Sequence, residues 1–383
     1  MELNIQTYEK TLYFLPKMRK FVNFGKMTNR QNMLTKIQTL ALAAVLFAGC
    51  GQKAVAPATA LDTLSKASES GCFLFAHQDG LSYGKNWKVE DYATDDLTRS
   101  DVKDVCGQYP AMIGFDLGGI ELGGDANLDG VPFELMRKAA RTQVERGGLV
   151  TFSWHPRNPK TGGDAWDVSD PGTVASVLEG GENHEKFLGW LDSAAQFIGS
   201  LGVPVIFRPW HENIGSWFWW GGRLCTPEQY KALFALTYER FKDVKDLLWV
   251  YSPNGDASWE AYMERYPGDD IIDILGFDSY MFNSDEAFIA QVRTALENVS
   301  TYARAHGKLY CVSETGYTAI PEAGWWTGTL LKALEGYNPC YLLVWRNAWD
   351  QPAHYFAPFE GSPDSENFKK FVASGRPKLL SVK

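Results

Sequence analysis

From residue 71 onward the chain alternates between short apolar runs and longer amphipathic ones. Eight runs rich in β-branched and aromatic residues predict strands, at 72–76, 111–115, 149–154, 205–208, 248–251, 274–277, 309–313 and 341–345. Several are apolar almost throughout, the pattern of parallel strands covered on both faces. Between them, helical spacing occupies 132–146, 184–200, 227–245, 285–306 and 324–334. One helix start is explicit: Thr226 as N-cap, Pro227 at the first helical position and Gln229 completing a capping box. Repeated βα units of this number predict an α/β fold, a (β/α)8 TIM barrel, as a single domain over residues 63–383. A doubly wound open sheet is the alternative. Its nucleotide-binding versions lose support because neither GxGxxG after an early strand nor GxxxxGK[ST] occurs.

The segment before the barrel reads differently. Residues 33–50, MLTKIQTLALAAVLFAGC, place one lysine ahead of an apolar run from Leu40 to Phe47, with small residues before a cysteine. That is the pattern of a secretory signal, and its run is too short to span a bilayer. The ending Leu46-Phe47-Ala48-Gly49-Cys50 resembles a bacterial lipobox. The resemblance implies lipidation of Cys50 and a cell-envelope location held by a lipid anchor, on the periplasmic or the cell-surface face. Residues 1–49 are then an extension plus signal peptide, with Met27 or Met33 as alternative starts, and 50–62 a small, polar tether.

Composition narrows the partners. With 45% hydrophobic and 22% charged residues in 383, the chain has material for a packed core, which excludes disorder throughout. Acidic residues outnumber basic ones 46 to 37, and the first 49 residues hold seven of the basic and only two of the acidic ones. The remainder therefore repels phosphate backbones, which speaks against nucleic acid and for neutral ligands. Besides Cys50 there are Cys72, Cys106, Cys225, Cys311 and Cys340. Their odd number and the absence of CxxC favour unpaired thiols, although an export route permits disulfides. A monomer is expected.

In a barrel the chemistry lies at the carboxyl ends of the strands. Those ends carry His77-Gln78-Asp79, Asp116, His155-Pro156-Arg157-Asn158, His211-Glu212, Asn254, Asp278-Ser279-Tyr280, Glu314 and Arg346-Asn347. A turn or a cap accounts for any one of these, but not for a full ring. Glu212 and Glu314 are the only glutamates directly ending predicted strands, the fourth and seventh, across the mouth from each other. Taken alone, each also reads as a salt-bridged rim residue; as a pair converging on a cleft, they meet the needs of glycosidic cleavage. Four of the 14 tryptophans fall within residues 210–220. Core packing is expected for at least one of Trp219 and Trp220, and contact with the flat faces of sugars for the other rings.

Other signals lose out. Asp125-Ala-Asn127-Leu-Asp129-Gly130 matches half of an EF-hand loop, but position twelve is Met136 rather than a glutamate, so a turn is expected. There is no HExxH. No metal or cofactor is expected, and His211 reads as a hydrogen-bonding residue.

The motifs RPWHENIGSWFWWGG, VSETGY, HQDGLSYG, SWHPRNP, GFDSY and VWRN resemble glycoside hydrolase family 26, whose best-known members are β-mannanases. The resemblance runs from about Phe73 to the end of the eighth strand. It implies a retaining double displacement with Glu212 as acid/base and Glu314 as nucleophile, the charge on Glu314 helping to hold Glu212 protonated. It also implies His211, Trp217 and Tyr280 as partners at the cleavage subsite, Tyr280 orienting Glu314, and His155, Trp345 and Arg346 on the nonreducing side. Trp166 and Arg208 complete the expected substrate-binding set. The implied substrate is β-mannan or a manno-oligosaccharide, cut internally or released as mannobiose. Hydrolysis of β-glucan or β-1,3-xylan, and a noncatalytic glycan-binding lipoprotein on the same fold, remain alternatives. One departure is Gly80, where related sequences often carry a second acidic residue.

Overall fold

The computed structural model describes residues 59–382, so Cys50, the signal segment and most of the expected tether lie outside the described residues. Strands β1 (Phe73–Gln78), β2 (Met112–Asp116), β3 (Leu149–Trp154), β4 (Val205–Pro209) and β5 (Leu247–Tyr251) pair in parallel in chain order. Strand β6 is interrupted, running as Ile274–Leu275 and then Asp278–Tyr280; β7 likewise runs as Leu309–Tyr310 and then Val312–Gly316. Their first halves pair with each other and join β5; their second halves pair with each other and join β8 (Tyr341–Val344), which pairs with β1. The sheet therefore returns to its first strand, as a (β/α)8 barrel requires.

Helices α1 (Ala60–Glu69), α2 (Phe133–Glu145), α3 (His184–Leu201), α4 (Pro227–Arg240), α5 (Asp285–His306) and α6 (Ser365–Ala373) are the described helices of nine or more residues. The Thr226–Gln229 capping box forms as expected at the start of α4. That helix stops at Arg240, short of 245, where the buried Phe241 turns its N–H to the Thr237 and Tyr238 carbonyls. The segment 324–334 is a short irregular helix, Trp326–Leu330 followed by Leu331–Ala333. Among the described residues no helix is long and apolar enough to cross a membrane.

Helix α1 corrects the expected tether of 50–62, because it begins at Ala60. A capping box starts it: Thr59 Oγ1 accepts from the Asp62 N–H at 3.1 Å, and Asp62 Oδ2 accepts from the Thr59 N–H at 3.2 Å. Its buried Ala60, Leu64 and Ala67 join the cluster formed by Leu74, Met112, Leu149, Ile206, Ile274, Cys311 and Tyr341. These residues come from the amino ends of the strands, so α1 packs against the end of the barrel opposite the one that carries the chemistry.

Alternation along each strand explains both cores. In β1, Phe73 and Phe75 face the helices while Leu74 and Ala76 face inward; in β4, Val205 and Phe207 face outward and Ile206 inward. The same period of two carries Arg208 into the barrel above the apolar layer. Several polar residues expected after the strands lie inside them and buried: His77, Gln78, Asp116, Asp278 and Glu314. The strands run past their apolar stretch because these side chains find partners in the barrel interior, as Asp116 does with Ser153 Oγ at 2.6 Å.

Candidate active site

Arg208 organises the floor of the site. Its guanidinium, buried by the inward turn of β4, donates to Asp278 Oδ2 at 2.6 Å and to Glu314 Oε2. Asp278 Oδ1 accepts from Ser252 Oγ at 2.7 Å and Ser313 Oγ at 2.8 Å, so neighbouring strands satisfy that carboxylate completely. The second Glu314 oxygen accepts the Tyr280 hydroxyl. Burial and then the negative charge of Glu314 push the Tyr280 phenol well above its ordinary value, so it keeps its proton and remains the donor. The orientation of Glu314 by Tyr280 expected from sequence is thus present as a contact.

Glu212 is held differently. After β4 the backbone turns sharply, with φ of +56° at Trp210 and +52° at Glu212, a conformation that costs a side-chain-bearing residue on the order of 1–3 kcal/mol. Local bonds hold it there: the Glu212 N–H donates to the Ser252 carbonyl at 2.8 Å, and Trp220 Nε1 donates to the His211 carbonyl at 2.8 Å. The Trp217 indole N–H donates to Glu212 Oε2 at 2.6 Å. Gly215 allows this fold, because a Cβ there would collide with the Trp217 ring. Burial, and after it the charges of Asp278 and Glu314, push the Glu212 carboxyl well above the usual carboxylate range, against the weaker opposing pull of Trp217 and Arg208.

A buried relay lies beside the glutamates. Asp116 Oδ2 is 2.6 Å from His155 Nδ1, and His155 Nε2 is 3.0 Å from His211 Nε2. Burial alone would lower the pKa of His155, but the Asp116 carboxylate and its hydrogen bond outweigh it and leave the imidazole raised. His211 is pushed well below its ordinary value by burial, Arg208 and His155. Of the two rings, the surroundings therefore favour the cation on His155.

Most of the expected contacts meet in one cavity of about 580 Å³. His155, Trp166, His211, Glu212, Trp217, Tyr280, Glu314 and Trp345 all line it, together with Asn254, Asp256, Phe282, Asn283 and Phe356, which were not assigned a role from sequence. Trp166 stacks on His155 with centroids 5.3 Å apart and planes 12° from parallel. Arg208 and Arg346 are not on the cavity wall. Arg208 lies beneath Glu314. Arg346 pairs with Asp129 at 2.9 Å and donates to the Tyr83 hydroxyl at 3.3 Å, while that hydroxyl donates to Asp79 Oδ2 at 2.7 Å. The acidic turn set aside as a calcium loop thus provides the partner of Arg346, and Asn127 Oδ1 shapes it by accepting from the Asp129 and Val131 N–H groups. A Cβ at Gly80 would lie 2.6 Å from His77 Nδ1, so the buried Asp79 is the acidic group of that loop.

The tryptophan cluster needs a correction. Trp210, Trp219 and Trp220 are all fully buried, packed on one another at 5.2–5.4 Å, and only Trp217, 43% exposed, reaches the cleft. The barrel wall between β4 and α3 needs large rings to fill it, and Phe187 and Trp154 complete that block. His211, Asp278 and Glu314 bring ligand atoms within 4.8 Å of one another, a metal-like spacing. The Arg208 guanidinium already lies on both carboxylates and supplies the positive charge there.

A family model described as "Glycosyl hydrolase family 26" matches residues 61–344. Among solved structures, a GH26 β-mannanase from Bacteroides ovatus is 46% identical, with a TM-score of 0.80, over 84% of this chain and 94% of that one. Among curated relatives, a mannan endo-1,4-β-mannosidase of Bifidobacterium adolescentis is 31% identical over 339 residues, which is 79% of this chain and 33% of the relative. Another, from Thermothelomyces thermophilus, is 31% identical over 288 residues, 69% of this chain and 53% of the relative. The chain therefore spans about a third and about half of the length of these two relatives. Because the family match runs from α1 to the end of β8 and encloses both glutamates, the chain belongs to glycosyl hydrolase family 26.

Proposed function

We propose that this chain is a retaining β-1,4-mannan hydrolase acting on mannan, galactomannan or glucomannan. The observation that carries the reading is the opposite setting of two carboxyls in one cavity: Glu212 pushed toward its protonated form, Glu314 gripped by Arg208 and Tyr280. Groups set apart in this way divide into an acid and a nucleophile. The names of the relatives supply the mannan specificity.

In the first step the Glu212 proton passes to the glycosidic oxygen, whose bond to the anomeric carbon breaks as a Glu314 oxygen attacks that carbon. A glycosyl ester on Glu314 and a free leaving sugar result. Glu212, now ionised, takes a proton from water; the hydroxide oxygen replaces Glu314 at the anomeric carbon and the sugar leaves with its β configuration. Arg208 and Tyr280 hold Glu314 in place through both steps, and Trp217 aims Glu212. In the same proposal Cys50 carries a lipid that anchors the enzyme in the cell envelope, a reading supported by the sequence LFAGC alone.

Hydrolysis rates on mannopentaose and galactomannan, compared with lichenan and β-1,3-xylan, test the substrate. Mannan substrates should be favoured by at least an order of magnitude in kcat/KM; faster turnover of lichenan or β-1,3-xylan would overturn the assignment.

A further inference from the structure

The cavity continues past the two glutamates along the arc formed by the ends of β5 and β6, where Asn254, Asp256, Phe282 and Asn283 line it. Phe282 is the most exposed large apolar side chain among the described residues, at 81%. The residues on either side of it are anchored. Met281, one residue before it, is buried and its N–H donates to the Gly316 carbonyl at 2.9 Å; Ser284, two residues after it, caps α5 by accepting from the Ala287 N–H. The Phe282 ring also leans on Tyr280, with centroids 6.1 Å apart. A phenyl ring has no polar atom to gain from solvent, and leaving it exposed forgoes the stabilisation that its burial would give. Held in this way on the wall of a polar cleft, it offers a flat apolar face in a cavity that exposed hydrogen-bonding side chains, Asn283 and Asp256, also line.

The orientation of the acid fixes which sugar would lie there. Glu212 is tied to the β5 end by its N–H bond to Ser252, and Asn254 Oδ1 accepts from the Gly215 N–H at 2.9 Å. The proton donor is thus fastened to the β5–β6 side of the cleft, and a leaving group departs on the side of the donor. We propose that Phe282 is the stacking platform for a hexopyranose unit of the leaving-group chain, bound beyond the sugar next to the scissile bond, with Asn283 and Asp256 bonding its hydroxyls. This rests on the mannan reading above. A carbohydrate is the occupant because the platform opens into the same cavity as the cleavage centre, and a glycan chain crossing that centre must continue along one arc or the other.

The test compares substrates that reach Phe282 with one that does not. In Phe282→Ala, kcat/KM on mannohexaose should fall roughly tenfold, mainly through KM, as expected for loss of one stacking contact. On 2,4-dinitrophenyl β-mannobioside, whose leaving group ends beside the scissile bond, it should stay within twofold of wild type. Phe282→Trp should retain the oligosaccharide activity, and transfer to added mannobiose as acceptor should drop in Phe282→Ala only. Equal losses on both substrates, or none on mannohexaose, would overturn the proposal. A wild-type enzyme inactive on both mannosides would instead remove the mannan reading, a result distinct from either.

Discussion

The Nε2 atoms of His155 and His211 face each other at 3.0 Å, and a contact of that kind needs one proton, supplied from one side. Asp116 decides the side by favouring the His155 cation. It accepts from His155 Nδ1, from the His155 and Gly118 N–H groups and from Ser153; the doubly protonated His155 then donates from Nε2 to His211, whereas a neutral His155 with its proton on Nδ1 would accept there. The groups that face His155 are Asp116 and Glu314, which favour its cation, and Arg208, which opposes it.

Asp116→Asn should therefore lower the His155 pKa and remove a charge-assisted bond worth about 1.5–3 kcal/mol. The wild-type value of His155 is raised on folding, so its share of stability is full below about pH 6.5 and is lost as pH rises through the raised value. Asp116 is lowered on folding: burial would raise it, but the His155 charge and the bonds it accepts win. Its share is full above about pH 3.9 and is lost as pH falls through the lowered value. The gap between wild type and mutant in urea denaturation should be largest between about pH 4 and 6.5 and should shrink above it. A gap that widens toward pH 9 contradicts the assignment.

Among the described residues, Arg208 is the cation that pairs directly with both buried carboxylates, Asp278 and Glu314. Arg208→Met leaves both without their counter-charge and should cost about 3–5 kcal/mol at pH 7, measured in urea. The deficit should narrow as the solution is acidified and the orphaned acids take up protons. Activity should fall by at least about a hundredfold, because Glu314 loses its aim. A stable, active Arg208→Met enzyme would mean that the guanidinium does not position the nucleophile.

Because the Glu314 charge is among the causes that raise Glu212, removing it should let Glu212 ionise more easily. Titration of Glu212 by infrared difference spectroscopy in Glu314→Gln should give a lower pKa than in the wild type. In wild type, the loss of kcat/KM on the alkaline side should follow Glu212 deprotonation and lie above the ordinary carboxylate range. An unchanged Glu212 pKa in Glu314→Gln would separate the two groups electrostatically.

The sequence pattern carries the barrel and both glutamates, because eight β-rich runs and two carboxylates at the ends of the fourth and seventh leave few arrangements. It does not carry the depth of the polar layer. Asp278 and Asp116 read as rim residues because a strand is recognised by its apolar stretch, whereas these strands continue into an interior that satisfies them. Trp219 and Trp217 are alike in sequence and opposite in exposure, since the turn after β4 decides which ring points outward. Arg346 ends a predicted strand as expected, but its partner Asp129 lies more than two hundred residues away, and no local signal links them. The Thr59–Asp62 capping box lies unread at the end of the expected tether, because aspartate stands in the place usually taken by glutamate or glutamine.

The N-terminal proposal has its own test. Cys50→Ala should abolish incorporation of labelled palmitate in a bacterial host and shift the enzyme from the membrane to the soluble fraction. Absence of label in the wild type would overturn the lipid anchor.

The central claim is that the two glutamates do different work, and chemical rescue on an activated substrate tests it most directly. With 2,4-dinitrophenyl β-mannobioside the leaving group needs no proton, so Glu212→Ala should still release a burst of phenolate and then stall at the glycosyl ester, for want of a base to activate water. Added azide needs no such base; it should restore turnover and give a β-mannobiosyl azide. Glu314→Ala should give no burst and, at most, an azide product of α configuration. Equal losses in both mutants with no rescue, or wild-type activity in either, would contradict the assigned roles.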